Sequence, residues 1–181
     1  MKHRSRGFTL IELLVTVSIL GLLTAVSVTA LGPLRDRYNR RQAAELVASA
    51  ASRAQLSARE TGRCHFLEIH STATGKPVKV TTVGKTGDRL RLMRRKTPDC
   101  EIDLKSKPGE DEVEEVEWVP LPGKTQVRVP KIMPEWRPNS RVREGETLLQ
   151  VVAPSGKELA VRMMAHGPVC ISEMTPLEDC P

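Results

Sequence analysis

Residues 1–31 read MKHRSRGFTLIELLVTVSILGLLTAVSVTAL, a short basic leader followed by an apolar run of 24 residues from Phe8 to Leu31. A transmembrane helix needs about 20 apolar residues, so the run is long enough to span a bilayer. It holds one charge, Glu12. A carboxylate within such a segment costs roughly 2.5–3.5 kcal/mol in lipid and so requires a partner. The missing positive charge appears if the chain is cut between Gly7 and Phe8, because Phe8 then becomes a new amino terminus. Lys2, Arg4 and Arg6 stand on the side that the positive-inside tendency keeps in the cytoplasm, which places the C-terminal bulk across the membrane.

An ordinary secretory signal fits this stretch poorly. Its apolar core runs to about 7–15 residues and ends in a small-x-small site, whereas here the run is longer and Ala25-Val26-Ser27 and Thr29-Ala30-Leu31 are weak imitations. The run Gly7-Phe8-Thr9-Leu10-Ile11-Glu12 resembles the prepilin-peptidase site of type IV pilins and type II secretion pseudopilins. The resemblance implies cleavage between Gly7 and Phe8 by prepilin peptidase and N-methylation of Phe8. It implies a single-pass stay in the bacterial inner membrane with the head in the periplasm, then a place in a filament at the cell surface. It assigns Glu12 to assembly, neutralising the amino terminus of a neighbouring subunit. The partners implied are the major pilin and other minor pilins through helix packing, the inner-membrane assembly platform and a tip adhesin.

The chain divides into a leader (1–7), a transmembrane or filament-core helix (8–31), an amphipathic continuation (32–61) and a β-rich head (62–181). About 150 residues beyond the apolar run suffice for one core. With two Trp, two Phe and one Tyr, that core must be mainly aliphatic. Three of the 28 Lys and Arg residues stand in the leader, so the formal charge of +6 falls to +3 without it, too little to indicate a partner.

From Gln42 to Thr61, Ala43, Leu46, Val47, Ala50, Ala54 and Ala58 recur at three- and four-residue spacing and predict an amphipathic helix. Pro33, at the join, removes a backbone donor and predicts a kink or the exit from the membrane. After Gly62 the period becomes two. Strands are predicted at 64–69, 77–83, 89–93, 100–104, 113–119, 126–129, 147–153, 158–164 and 169–172, with turn-forming separators and an extended loop over Pro130–Pro138. One long N-terminal helix followed by many short strands predicts an α+β fold in which an antiparallel sheet covers the helix stripe.

The stretch AAELVASAASRAQLSARETGRCHFLEI, residues 43–69, is similar to the helix-to-first-strand region of the H-type minor pseudopilins and their pilus relatives, the GspH/FimT-like family. The strand-and-turn pattern Val151–Gly156 adds to that likeness. The charged section Lys105–Glu117 and the end at Cys180 depart from it. Cys64, Cys100, Cys170 and Cys180 form no zinc-like spacing, and outside the cytoplasm disulfides are the better reading. Four cysteines allow three pairings, which sequence alone does not separate; Cys170–Cys180 with Cys64–Cys100 is the favoured set, and a C-terminal disulfide loop also resembles many pilins.

Catalytic signatures are missing from the sequence. Gly84-Lys85-Thr86 imitates a phosphate loop, but the glycine required five positions earlier is Lys79. His65, His70 and His166 have no metal-ligand spacing, so neither enzymatic activity nor a metal or other cofactor is expected. Arg89, Arg91, Arg94, Arg95 and Lys96 form a candidate basic surface for DNA, with no aromatic residue in the cluster for stacking. The nearby acids Glu110, Asp111, Glu112, Glu114, Glu115 and Glu117 offer it intramolecular partners instead. The ranked readings are a minor type IV pilin that primes assembly near the filament tip, an H-type pseudopilin of type II secretion, and a DNA-binding minor pilin for transformation.

Overall fold

Thr9 is the cap of a single helix, α1, spanning Leu10–Thr61. The computed structural model describes residues 9–98, 100, 113–139, 147–164 and 168–173, with residues 26–30 described by backbone alone. Among the described residues ten strands follow: β1 (His65–Ser71), β2 (Val78–Lys79), β3 (Thr86–Gly87), β4 (Arg89–Arg95), β5 (Val113–Pro120), β6 (Gln126–Arg128), β7 (Glu135–Trp136), β8 (Thr147–Val152), β9 (Glu158–Met163) and β10 (Val169–Glu173). By contacts the chain falls into two units, Met1–Arg35 and Asp36–Pro181.

In the first unit the helix exposes its large apolar side chains, among them Leu10, Leu14, Val17 and Leu22. Three of its hydroxyls turn back on the backbone: Thr16 donates to the Leu13 carbonyl, Ser18 to Leu14 and Thr24 to Gly21, at 2.8–2.9 Å. These three hydroxyls are thereby satisfied within their own helix. The helix assignment continues through Gly32-Pro33.

The second unit is an antiparallel α+β head with two five-stranded sheets where one was expected. The first has the order β2-β1-β4-β5, with β7 also paired to β1; the second runs β10-β9-β8-β6-β3. Strand alternation explains the inner face. Leu67 and Ile69 of β1, Leu90 and Leu92 of β4 and Val119 of β5 point one way and join Val127, Leu149, Val151 and Val161 of the second sheet in one core. Against them lies the helix stripe Ala43, Ala44, Val47, Ala50, Ala51, Ala54 and Ala58, all fully buried.

Two strands fall where none was expected. β3 lies in the turn-forming separator between the strands expected at 77–83 and 89–93, and β7 interrupts the predicted loop of residues 130–138. Both are two-residue pairings decided by tertiary contact. Gly87 lies so close to β1 that a Cβ would collide with the His70 carbonyl oxygen and the Ile69 side chain. Conversely, the strand expected over 77–83 shrinks to Val78–Lys79; Val78 and Val83 stay exposed, while Val80 alone of the three valines packs against the core. Of the strand expected at 100–104, only Cys100 lies within the described residues.

The β5 strand carries a bulge where the register shifts between Leu92 and Met93 of β4, leaving Val116 as the extra, exposed residue. It thereby keeps Val119 facing the core while setting Glu114 and Glu115 opposite Arg94 and Met93.

Candidate functional site

The N-terminal site is built by four residues of sequence, Thr9-Leu10-Ile11-Glu12. Thr9 Oγ1 accepts from the Glu12 backbone N–H at 3.3 Å, while Glu12 Oε2 accepts from the Thr9 backbone N–H at 3.3 Å and from Thr9 Oγ1 at 3.2 Å. This reciprocal arrangement is a capping box, and the carboxylate sits in the first turn, where the helix dipole favours negative charge. Thr9 therefore belongs to the site beside Glu12. The Thr-x-x-Glu spacing directly ahead of an apolar run was the available sequence signal. Glu12 Oε1 accepts no hydrogen bond among the described residues. Gly7 and Phe8 lie outside the described residues.

The candidate basic surface is divided by the strand's alternation. Arg91 and Arg95 point to one face of β4 and Arg94 to the other, and each meets a carboxylate. Arg91 Nη2 pairs with Glu115 at 2.8 Å, Arg94 with Glu114, and Arg95 Nε with Glu135 at 3.1 Å. Glu114 also meets Arg63 at 3.4 Å, and Arg53 of α1 grips Glu117 with two hydrogen bonds of 3.1 Å. The hydrogen bond from Arg94, helped by the charges of Arg94, Arg63 and Lys96, holds the Glu114 carboxyl below its ordinary pKa. Arg89 and Lys96 remain exposed. Glu110, Asp111 and Glu112 lie outside the described residues.

Aromatic residues do meet this cluster, contrary to the expectation from sequence. The Arg91 guanidinium lies 5.2 Å from the Trp118 ring centroid, and Arg95 lies 6.0 Å from that of Phe66. Cross-strand register brings them together, since Trp118 is directly opposite Arg91. Trp118 and His70 also meet in a T-shaped arrangement, with ring centroids 4.9 Å apart. His70 Nε2 lies 3.2 Å from Glu68, a buried carboxylate that also accepts from Lys79.

Cys64 and Cys100 form a disulfide with Cα atoms 5.8 Å apart. Cys170 is also disulfide-bonded; the Cys180 end of the expected Cys170–Cys180 pair lies outside the described residues. His166 lies outside them as well. No cluster of metal-ligating side chains occurs among the described residues.

His65 opens β1 beside the disulfide and is fully buried. Its Nδ1 lies 3.1 Å from the Arg63 carbonyl oxygen, which assigns the proton to Nδ1; Nε2 is buried without a partner among the described residues. Burial lowers the imidazole's pKa below 6.5; the Arg94 charge also lowers it, while the Arg63 carbonyl and Glu114 oppose the shift. Protonation is thus easier in the unfolded chain, so His65's contribution is complete above about pH 6.5 and is lost as pH falls from there toward the folded-state value. Glu114 contributes with the same sign at lower pH, as its depressed carboxyl titrates. Urea midpoints of the detergent-solubilised chain should fall between pH 7.5 and 5.5, and His65→Gln should flatten that slope. An unchanged slope would assign the acid sensitivity elsewhere.

Residues 2–28 match the family model of the prokaryotic N-terminal methylation motif. The chain carries a type IV prepilin-like N-terminus. The motif covers the leader from Lys2, the capping box and most of the apolar run, and it supports a type IV pilin or pseudopilin relationship. No curated protein and no solved structure matches the prepilin-like chain. Among the described residues no helix is long and apolar enough to cross a membrane; the 24-residue run of the sequence includes Phe8 and residues 26–30, whose side chains lie outside the described set.

Proposed function

We propose that this prepilin-like chain is a minor type IV pilin, a structural subunit that helps prime filament assembly and stands at or near the filament tip. The methylation motif at residues 2–28, placed at the start of a helix whose later half packs into an antiparallel head, carries this reading. In it, prepilin peptidase cuts between Gly7 and Phe8, residues 8–31 hold the subunit in the inner membrane, and Phe8 is N-methylated. The major pilin and other minor pilins then receive the apolar helix, with the assembly platform and a tip adhesin as further partners.

The capping box gives Glu12 a second task in this scheme. Thr9 holds Oε2, fixing the carboxylate at the helix start and leaving Oε1 for the ammonium of a neighbouring subunit's amino terminus. Glu12→Ala should leave leader removal intact and reduce recovery in sheared filaments at least tenfold. Thr9→Ala should have a smaller effect in the same direction, because it loosens the carboxylate without removing it. Normal incorporation of Glu12→Ala would refute the charge pairing.

Intramolecular pairing of Arg91, Arg94 and Arg95 argues against a role in DNA uptake, since the phosphate-binding charge is largely engaged. A cross-linked pull-down from membranes and sheared filaments, read by mass spectrometry, tests the main reading. Recovery with a major pilin and other minor pilins supports it; recovery with secretion pseudopilins moves the chain to the H-type role in type II secretion.

A further inference from the structure

Between residues 36 and 41, α1 turns one side to the head and leaves the other side outward. On the inner side Asp36 accepts from Ser155 Oγ, Asn39 lies against Gly123, and Arg40 Nη1 donates to the Glu158 carbonyl at 3.3 Å. On the outer side Arg37, Tyr38 and Arg41 are exposed, Tyr38 at 69%. Arg37 has no partner among the described residues. Arg41 has an i,i+4 pair with Glu45 at 3.2 Å, with side chains 78% and 58% exposed, a weak bond that water readily replaces.

Arginines in this place need an explanation. Arg35, Arg37, Arg40 and Arg41 begin only four residues after Leu31, at the end of the apolar run where the positive-inside tendency disfavours cations. We propose that Arg37, Tyr38 and Arg41 form a docking face for anionic phospholipid headgroups in the leaflet on the head's side of the membrane. The inference rests on the reading of residues 8–31 as membrane-spanning.

The chemistry of the three side chains suits that occupant. Arg37 and Arg41, four residues apart, share one helix face, and a guanidinium binds a phosphodiester through two parallel hydrogen bonds. Tyr38, beside them, has the amphipathic ring that settles at headgroup depth. A second copy of the chain suits the face less well. Self-pairing would oppose like charges, and the acids that another copy could present on β5 are already engaged: Glu114 by Arg63 and Arg94, Glu115 by Arg91, and Glu117 by Arg53.

The test is lipid selectivity of the full chain reconstituted in phosphatidylcholine bilayers, read by electron paramagnetic resonance with spin-labelled phosphatidylglycerol and phosphatidylcholine. Phosphatidylglycerol should be preferred by roughly fivefold for each arginine engaged, with the preference falling as salt rises. R37Q/R41Q should bring the ratio close to one, and R37K/R41K should retain most of it. No preference in the wild type, or the same preference in R37Q/R41Q, overturns the inference. So does a photo-cross-linker at Tyr38 that captures a second copy and no lipid. Alkaline extraction separates the two layers of the argument: a chain stripped from the bilayer refutes the membrane-spanning reading and the headgroup face with it, whereas a retained chain without lipid preference refutes the headgroup face alone.

Discussion

Glu135→Ala is expected to destabilise the head by about 3–5 kcal/mol, because it leaves the Arg95 guanidinium buried without its carboxylate. The pair joins β4 to β7 with an Nε–Oε1 distance of 3.1 Å, and the two side chains are only 3% and 5% exposed. Both strands flank the start of β1, where Phe66 is paired with Met93 on one side and Glu135 on the other. Among the described residues Nη1 of Arg95 has no hydrogen-bond partner, so removal of the carboxylate adds to a guanidinium that is already under-satisfied. Arg95→Ala should also destabilise the head, since it leaves the Glu135 carboxylate buried without the guanidinium that faces it. The double variant Arg95→Met/Glu135→Leu should recover most of the loss by replacing two buried charges with apolar volume. Urea unfolding followed by tryptophan fluorescence measures all three. A Glu135→Ala cost below about 1 kcal/mol, or a double variant as unstable as the singles, would refute the coupling.

This pair was not legible from the chain. Glu135 lies in a proline-rich stretch, Pro130–Pro138, that has no period and reads as a loop, and its partner lies 40 residues earlier in the sequence. Two-residue pairings such as β7 and β3 have too few positions to show alternation, so only the completed fold identifies them. The longer elements announced themselves. The alanine stripe on α1 and the alternating apolar positions of β1, β4, β8 and β9 each have a face to bury, and the bulge in β5 changes register without moving Val119 from the core. The expected strand at 77–83 failed for the complementary reason: with Val78 and Val83 exposed and Val80 alone of the three valines against the core, the segment yields only Val78–Lys79.

Site residues divide in the same way. Glu12 stands out because a lone carboxylate in an apolar run is costly, but its Thr9 partner needs the capping rule as well as the charge argument. The cluster Arg89–Lys96 looks like one cationic surface when read linearly. Alternation separates its members, and antiparallel pairing sets acidic β5 against them, so sequence proximity overstated the local positive charge.

Replacing Cys64 and Cys100 together with Ser is expected to lower stability by about 4 kcal/mol, the loop-closure value for the 36-residue separation of this disulfide. The bridge stands at the open end of the β1–β4 pairing, where the Arg95 backbone N–H also donates to the Cys64 carbonyl at 2.9 Å. The folded state therefore already holds these ends together, and the covalent bond acts chiefly by restricting the unfolded chain. Reductant alone is an ambiguous probe, since Cys170 is also disulfide-bonded. The Cys64→Ser/Cys100→Ser chain, unfolded in urea without reductant, isolates this bridge. A lower midpoint with an unchanged native tryptophan spectrum supports an effect on the unfolded state. A changed native spectrum would instead mean that the bridge positions β1 beside His65 and Trp136, and the expected pH dependence of His65 should then change in the same variant.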